Sequence, residues 1–167
     1  MQTIGIGYDS HRFGPGGVLK LGGVEIPHHC GLIGHSDADA VLHATTDAIL
    51  GAAGHDDIGE LFPDTDPQYR GADSTAFVAK ALAIAAEQGL YTANCDVTIL
   101  AQAPKLGPRK KQIKARLAEL LSLPLGRVAV KAKTNEFMGF VGQEQGIAVI
   151  AAVTLSDTQW STPPAKQ

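Results

Sequence analysis

Residues 4–11, Ile-Gly-Ile-Gly-Tyr-Asp-Ser-His, begin the pattern from which the rest of the fold follows. Large apolar side chains alternate with glycine through Tyr8, a period of two that is typical of a β-strand over residues 2–8. Side chains two positions apart leave a strand on the same face. Asp9 and His11 should therefore leave the end of this strand side by side, a carboxylate next to an imidazole.

A third side chain suited to metal binding, His43, follows in a segment with helical spacing. Two imidazoles and one carboxylate suit Zn²⁺, and three protein ligands rather than four are typical of a catalytic zinc site with one open position. Asp-x-His pairs also occur as plain hydrogen-bonded couples, and the spacing alone leaves that alternative open. Asp9, His11 and His43, called the zinc triad below, are therefore a candidate zinc site.

The helix that carries His43 has a capping signal at its start. Ser36 and Asp39 form an S-x-x-D box, so we expect the helix to begin at Ser36. Asp39 and Asp47 lie four residues before and after His43, on the same helical face. Either carboxylate could accept the second N–H of a zinc-bound imidazole. Simple surface contacts are the alternative.

Strands and helices alternate along the rest of the chain. Further strands are expected over 18–26, 95–101, 128–134 and 146–155, and further helices over 74–88 and 108–121. This order predicts an α/β fold in the form of an α+β sandwich: one mixed four-stranded sheet plus a small hairpin, with helices packed on one face. We expect a single catalytic domain over residues 1–156 and a polar, frayed C-terminal tail over 157–167.

Composition narrows the class of protein. The 167 residues fit one domain, and a net charge of −3 argues against a nucleic-acid binder. Cys30 and Cys95 lack C-x-x-C spacing, so a disulfide scaffold is not expected. A signal peptide is not evident, and no apolar run reaches the ~18 residues of a membrane helix. We therefore expect a cytoplasmic protein that does not bind membranes.

Two loop segments near the zinc triad carry polar groups. His35 and Ser36 precede a helix, whose free N–H groups and positive dipole end attract phosphate; a capping serine beside an incidental histidine is the alternative. Residues 55–72 lack a clear period but contain several apolar residues, which favours a functional loop over a disordered one. The carboxylates of Asp57, Asp64 and Asp66 suit the hydroxyls of a polyol or a second metal, with Gly59 also in the candidate site, unless the loop is only a solvated surface.

Two strand ends offer groups for a nucleotide. At residues 101–105, free backbone N–H and C=O groups can read the edge of a base, and Lys105 can meet a phosphate. The basic run over 105–116 is more simply a solvated helix face than a nucleic-acid patch. At residues 133–136, Thr134 can donate to a phosphate oxygen and Glu136 can hold Mg²⁺. Routine polar caps at a strand end are the alternative.

Taken together, these segments resemble the 2-C-methyl-D-erythritol 2,4-cyclodiphosphate synthases of the non-mevalonate isoprenoid pathway. The match covers nearly the whole chain, with the motifs in the family's order. The matching stretches are 5–11 (Gly-Ile-Gly-Tyr-Asp-Ser-His), 34–39 (Gly-His-Ser-Asp-Ala-Asp), 42–43 (Leu-His), 57–59 (Asp-Ile-Gly), 61–66 (Leu-Phe-Pro-Asp-Thr-Asp), 101–105 (Ala-Gln-Ala-Pro-Lys), 139–140 (Gly-Phe) and 146–148 (Gly-Ile-Ala).

The resemblance implies a homotrimer with active sites between subunits: one subunit binds Zn²⁺ through the zinc triad, and its neighbour supplies the nucleotide pocket. His35 and Thr134 match the family's proposed transition-state stabilisers, and Glu136 would meet Mg²⁺ or Mn²⁺. Residues implied to bind the methylerythritol phosphate end of the substrate are Ser10, Ser36, Asp57, Ile58, Gly59, Phe62, Pro63, Asp64, Thr65, Asp66, Phe140 and Gln143. Residues implied to bind the nucleotide are Ala101, Gln102, Ala103, Pro104, Lys105, Leu106, Gly107, Lys133, Thr134, Asn135 and Glu136.

The resemblance also implies a reaction, that of a phosphorus–oxygen lyase. In 4-diphosphocytidyl-2-C-methyl-D-erythritol 2-phosphate, an oxygen of the 2-phosphate attacks the β-phosphorus, CMP leaves, and an eight-membered cyclic diphosphate closes. Both reacting groups are anionic, so two divalent ions would reduce their repulsion while the site holds the geometry. A zinc-dependent phosphohydrolase and a non-catalytic trimeric nucleotide-binding protein with structural zinc are the alternatives.

The chain departs from the family's pattern at two positions. Lys133 stands where the family commonly begins a pair of threonines, and it can still meet a phosphate as a point charge. Gln143 stands where many members have an arginine, which in some members grips an isoprenoid diphosphate in a cavity on the three-fold axis. Because Gln143 carries no positive charge, we do not expect that ligand here.

Overall fold

A computed structural model describes residues 1–63 and 65–159. The strands are β1 (Gln2–Pro15), β2 (Leu19–Leu21), β3 (Val24–Ile26), β4 (Cys30–Leu32), β5 (Tyr91–Leu100), β6 (Val128–Lys133) and β7 (Gly146–Ser156). The helices are α1 (Ala40–Ala52), α2 (Ile58–Leu61), α3 (Thr75–Glu87), α4 (Lys110–Leu120) and α5 (Gly139–Gly142). Among the described residues, none of these helices combines the length and apolar character needed to cross a membrane.

The main sheet is mixed and has five strands in the order β4-β1-β7-β5-β6, while β2 and β3 form a separate hairpin. β5 and β6 are parallel, and the other neighbours are antiparallel. The prediction of four strands was therefore wrong, because β4 adds a fifth at the edge beside the end of β1. Its three residues are too few to show a strand period in the sequence. The hairpin is confirmed, with Gly22 and Gly23 in its turn at positive φ.

The long helices pack on one face of the main sheet, and glycine decides how closely α1 can approach. A Cβ at Gly5 or Gly7 of β1 would lie 2.0 Å from a backbone oxygen of α1, that of Ala48 or Ala44 respectively. Only glycine lets the two backbones come this near. Apolar side chains of the central strands complete the core on this face, chiefly Val97, Ile99, Ile147, Val149, Val153 and Leu155.

The opposite face of the sheet is left uncovered by the described part of the chain. Ile4, Ile6, Tyr8 and Ile150 are 67%, 71%, 55% and 42% exposed there. Tyr8 lies directly across from Ile150 in the β1–β7 pairing, so these side chains form one apolar patch. Exposed apolar patches of this kind mark interaction surfaces.

Helix α1 begins at Ala40, later than the start at Ser36 that the capping box predicted. Asp39 is the N-cap instead. Its carboxylate accepts four backbone N–H hydrogen bonds, from Gly22 (2.8 Å), Gly23 (2.6 Å), Val41 (3.1 Å) and Leu42 (3.1 Å). Burial raises the pKa of Asp39, and the N–H groups of Gly23, Gly22 and Leu42 oppose the rise. The same bonds fasten the hairpin turn to the start of α1.

The segment 55–72 is more regular than the sequence suggested, because it contains α2 and a 3-10 turn at Pro67–Tyr69. Asp57 caps α2 and Asp66 caps the turn, each by accepting backbone N–H groups. Asp47 of α1 accepts the backbone N–H at the start of α2 at 2.8 Å. The described residues of this segment therefore form a wall fastened to α1 rather than a free acidic loop.

Candidate metal centre and active site

The zinc triad assembles where β1 passes the first turn of α1. Asp9 and His11 lie two residues apart on β1, and His43 lies on α1. The donor atoms of the three side chains all lie within 4.8 Å of one another. Because Gly7 lets α1 rest directly on β1, it brings His43 within reach of the two strand ligands.

Two atoms of the zinc triad are buried without a hydrogen-bond partner, Oδ2 of Asp9 and Nδ1 of His11. They lie 2.8 Å apart as an ion-pair contact that lacks hydrogen-bond geometry, and Nδ1 of His43 lies 3.4 Å from the same carboxylate oxygen. Buried polar atoms left unpaired cost free energy. A cation bound by the three side chains would satisfy these atoms, so the residues present fit Zn²⁺ in donor type, number and arrangement.

The charge state of Asp9 also suits a metal ligand. Burial raises the pKa of this carboxyl, but its contacts with His11 and His43 outweigh burial and lower the pKa to about 2. A carboxylate binds a metal in its ionised form. Gly34 packs against the imidazole of His11, where a Cβ would lie only 2.8 Å from Nε2.

Two serines hold the other nitrogen of His43. Its Nε2 lies 2.9 Å from Oγ of Ser74 and 3.0 Å from Oγ of Ser36. The Ser74 hydroxyl donates its one proton to the carboxylate of Asp37, so it can only accept from the imidazole. Nε2 of His43 therefore carries a proton, and Nδ1, which lies on the side of Asp9, is the nitrogen left to bind a metal. This is the tautomer that a metal on the Nδ1 side requires.

The sequence had offered Asp39 or Asp47 as the partner of His43, and that prediction was wrong. The first caps α1 and the second accepts the backbone N–H of Ile58. Ser74 lies just before α3, far from His43 in the sequence but adjacent in space. Helical spacing identifies neighbours on one helix, so it could not reveal a partner from another.

A cleft of about 520 Å³ opens over the zinc triad. Its lining includes several residues that the resemblance implied for substrate binding or catalysis: Ser10, His35, Ser36, Ile58, Gly59, Phe62, Pro63 and Thr65. Gly34, Tyr69 and Phe77 also line it and were missed. The ring of Phe77 lies 4.5 Å from that of Phe62, which meets Tyr69 edge-on at 5.3 Å. The cleft therefore has polar groups beside the triad and an aromatic wall, in which the ring of Phe77 lies 5.9 Å from that of His43.

Three acidic residues, Asp57, Asp64 and Asp66, were also predicted to contact the substrate in this cleft. Asp57 and Asp66 are used as caps at the border of the cleft, each accepting a backbone N–H, at 2.9 Å and 3.0 Å respectively. Asp64 lies outside the described residues. Their contacts with substrate stay predictions.

A second cleft, of about 340 Å³, lies where β5 and β6 end. Most of the predicted nucleotide-binding residues line it: Ala101, Gln102, Pro104, Lys105, Leu106, Gly107, Lys133 and Thr134. Lys110 of α4 adds a third ammonium group. The second cleft shares no lining residue with the first, so within one chain the candidate metal and nucleotide regions are separate.

A hydrogen-bonded loop forms the rim of the second cleft. Oε1 of Gln102 accepts the backbone N–H groups of Asn135 at 3.3 Å and of Phe137 at 3.4 Å, which joins the two strand ends. The Thr134 hydroxyl donates to Glu136 at 3.1 Å. Glu136 and Phe137 both have positive φ, at +49° and +60°. Strained backbone of this kind clusters at functional sites.

Three further residues were predicted to contact substrate or nucleotide: Ala103, Phe140 and Gln143. Ala103 precedes a cis peptide bond to Pro104. Phe140 is exposed on α5, and Oε1 of Gln143 accepts the side-chain N–H of Gln145 at 3.1 Å. Their contacts with substrate stay predictions.

Comparison with known proteins identifies the family of this chain. A model of the YgbB family matches residues 2–156. The chain belongs to the YgbB family. It is 53% identical over 154 residues to the 2-C-methyl-D-erythritol 2,4-cyclodiphosphate synthase of Pseudomonas paraeruginosa, a match that covers 92% of this chain and 98% of that protein.

Solved structures agree with membership of the YgbB family. The structure of a 2C-methyl-D-erythritol-2,4-cyclodiphosphate synthase in a CDP-bound form is similar with a TM-score of 0.84 and 39% identity, covering 92% of this chain and 99% of that one. The bifunctional IspDF protein from Campylobacter jejuni is similar with a TM-score of 0.89 and 42% identity. The match covers 93% of this chain and 42% of the bifunctional chain.

Proposed function

We propose that this protein converts 4-diphosphocytidyl-2-C-methyl-D-erythritol 2-phosphate to 2-C-methyl-D-erythritol 2,4-cyclodiphosphate with release of CMP, in isoprenoid precursor biosynthesis. An oxygen of the 2-phosphate forms a bond to the β-phosphorus, and the bond from that phosphorus to the oxygen of CMP breaks. The observation that carries the proposal is the pairing of a metal triad with a separate nucleotide cleft in a chain that is 53% identical to a named synthase.

The zinc triad and Glu136 are the groups that would hold the divalent ions. Zn²⁺ at the triad, with Mg²⁺ or Mn²⁺ at Glu136, would lower the repulsion between the two reacting phosphates. The Ser74–Asp37 pair would keep His43 in the tautomer with Nδ1 free to bind. No side-chain nucleophile is required, because phosphoryl transfer depends mainly on positioning and electrostatics.

The two clefts would bind different parts of the substrate. His35 and Ser36 beside the triad would contact the reacting phosphates, and the aromatic wall would exclude water from the methylerythritol. In the second cleft, Lys133 and Thr134 would grip the diphosphate of CDP, with the backbone of residues 101–107 around the cytosine. These two grips together would hold the chain of atoms bent for ring closure.

We propose that the active enzyme is a homotrimer in which the metal cleft of one subunit faces the nucleotide cleft of the next. Two observations support this assembly: the clefts share no lining residue, and the apolar patch around Tyr8 and Ile150 is uncovered. A cytoplasmic location is proposed because Cys30 and Cys95 are free thiols, whereas exported proteins usually form disulfides.

Product analysis by ³¹P NMR tests the reaction. Zinc-loaded enzyme with Mg²⁺ should convert the substrate to equal amounts of CMP and a cyclic diphosphate, while a chelated sample should not. Release of inorganic phosphate would instead favour the phosphohydrolase. Tight CDP binding without turnover would favour a nucleotide-binding protein.

Mixed oligomers test the shared site separately. His43→Ala damages the metal cleft and Thr134→Ala the nucleotide cleft, so each variant alone should be inactive. Co-expressed in one cell, the two variants should regain activity, since some interfaces then pair an intact metal cleft with an intact nucleotide cleft. Absence of any recovery in verified mixed oligomers would place both halves of the site within one chain.

A further inference from the structure

A second cluster of metal-binding side chains lies at the start of β4, where His28 and His29 precede the strand and Cys30 is its first residue. The donor atoms of His28, His29 and Cys30 all lie within 4.8 Å of one another. The chain bends at His29, and the two imidazole rings are in contact, tilted by 58° with centroids 4.3 Å apart. Among the described residues, the zinc triad is the other group of three such donors this close together.

We propose that His28, His29 and Cys30 form a second metal site, which takes a thiophilic transition-metal ion of the Zn²⁺ type. Two imidazoles and a thiolate are borderline-to-soft donors, the set that zinc binds and that Mg²⁺ and Ca²⁺ avoid. Three ligands leave one position of a tetrahedral ion for water or another small ligand.

The framework around the cluster holds two of its three members, Cys30 and His28, in place before any ion arrives. The backbone of Cys30 is paired with Pro15 at the edge of the main sheet. The ring of Phe13 packs against His28 with centroids 5.1 Å apart. Ordered ligands lose little freedom on binding, which favours affinity.

This site does not depend on the proposed function. Its three residues line neither the cleft over the zinc triad nor the nucleotide cleft. The zinc triad contains no sulfur, so the two sites can be distinguished by spectroscopy. Cys95, the second thiol of the chain, is completely buried in the core on β5, where burial raises its pKa to about 12.

Cobalt substitution of the full-length, metal-depleted protein tests the site. Co²⁺ binds zinc sites, and only a thiolate ligand gives sulfur-to-cobalt charge-transfer absorption in the near ultraviolet. The wild type should bind two Co²⁺ per chain and show this absorption, and added Zn²⁺ should abolish it. One Co²⁺ per chain without the sulfur absorption would overturn the proposal.

Two variants and a control make the assignment specific. Cys30→Ser should lose the charge-transfer absorption while the triad keeps its own Co²⁺, and His29→Ala should weaken binding at the new site by at least about tenfold. His55→Ala, which changes an exposed histidine hydrogen-bonded to Gln88, should leave both sites unchanged. Sulfur absorption that persists in a folded Cys30→Ser variant would also overturn the proposal.

Discussion

Replacing Gly7 with alanine should damage the fold and the metal centre together. The new Cβ would lie 2.0 Å from the carbonyl oxygen of Ala44 and 2.9 Å from the amide nitrogen of Ala48. Cβ contacts below 3.0 Å are essentially never seen in proteins, so α1 must move away from β1 by about 1 Å. Overpacking of this kind costs about 1–3 kcal/mol, and the upper end applies because the obstacle is backbone that cannot rotate away.

The same shift should weaken zinc binding, because His43 precedes Ala44 on α1. Metal–ligand distances are held within about 0.2 Å, so a displacement of about 1 Å cannot be absorbed at the zinc triad. Urea unfolding should give a lower midpoint than the wild type, and competition with a chromophoric chelator should give a weaker zinc affinity.

Gly126→Ala provides the matched control, because its Cβ would have no neighbour within 4 Å and its φ is not positive. We expect this variant to keep the stability and zinc affinity of the wild type. A Gly7→Ala protein with an unchanged urea midpoint and unchanged zinc affinity would refute the idea that close contact between β1 and α1 builds the site.

Three further predictions concern the surroundings of the triad. Ser74→Ala removes the nearer of the two hydroxyls at His43 Nε2, the one that can only accept, and should lower zinc affinity by about 10–100-fold; chelator competition that shows wild-type affinity would contradict the role assigned to Ser74. His43→Ala should abolish turnover while light scattering still shows the trimer, and loss of the trimer would favour a structural zinc. Asp47→Asn should stabilise the metal-depleted protein at pH 7 relative to the wild type. Burial raises the pKa of Asp47, so the folded state binds the proton more tightly and wild-type stability falls as the pH rises from the unfolded value near 3.8 through the raised pKa. Urea unfolding at pH 3.5 and pH 7 should show a benefit of the variant at the higher pH; an equal difference at both would contradict the shift.

Local patterns in the sequence gave the strands and helices that have a clear period. The alternation before Asp9 predicted β1, and the apolar spacing after it predicted α1. The sequence did not give β4, because three residues show no period. It misplaced the start of α1, since Ser36 and Asp39 are both good caps and only the packed hairpin turn selects Asp39.

The sequence likewise predicted some residues of the candidate site and missed others. Asp9 and His11 are strand neighbours, so their spacing was informative, whereas the strand ends at 101–107 and 133–136 were joined into one nucleotide site only through the family resemblance. Ser74 and Phe77 reach the triad through the packing of α3 against α1, a contact between distant segments that no local period records. Their roles become visible only once the helices are placed side by side.

The most direct test is a crystal structure of the protein with Zn²⁺ and CDP, recorded at wavelengths on both sides of the zinc absorption edge. We expect an anomalous zinc peak bound by Asp9, His11 and His43, with the cytosine lying against residues 101–107 of the adjoining subunit in a trimer. A triad that stays empty at saturating zinc, or a nucleotide bound far from any triad, would contradict the account.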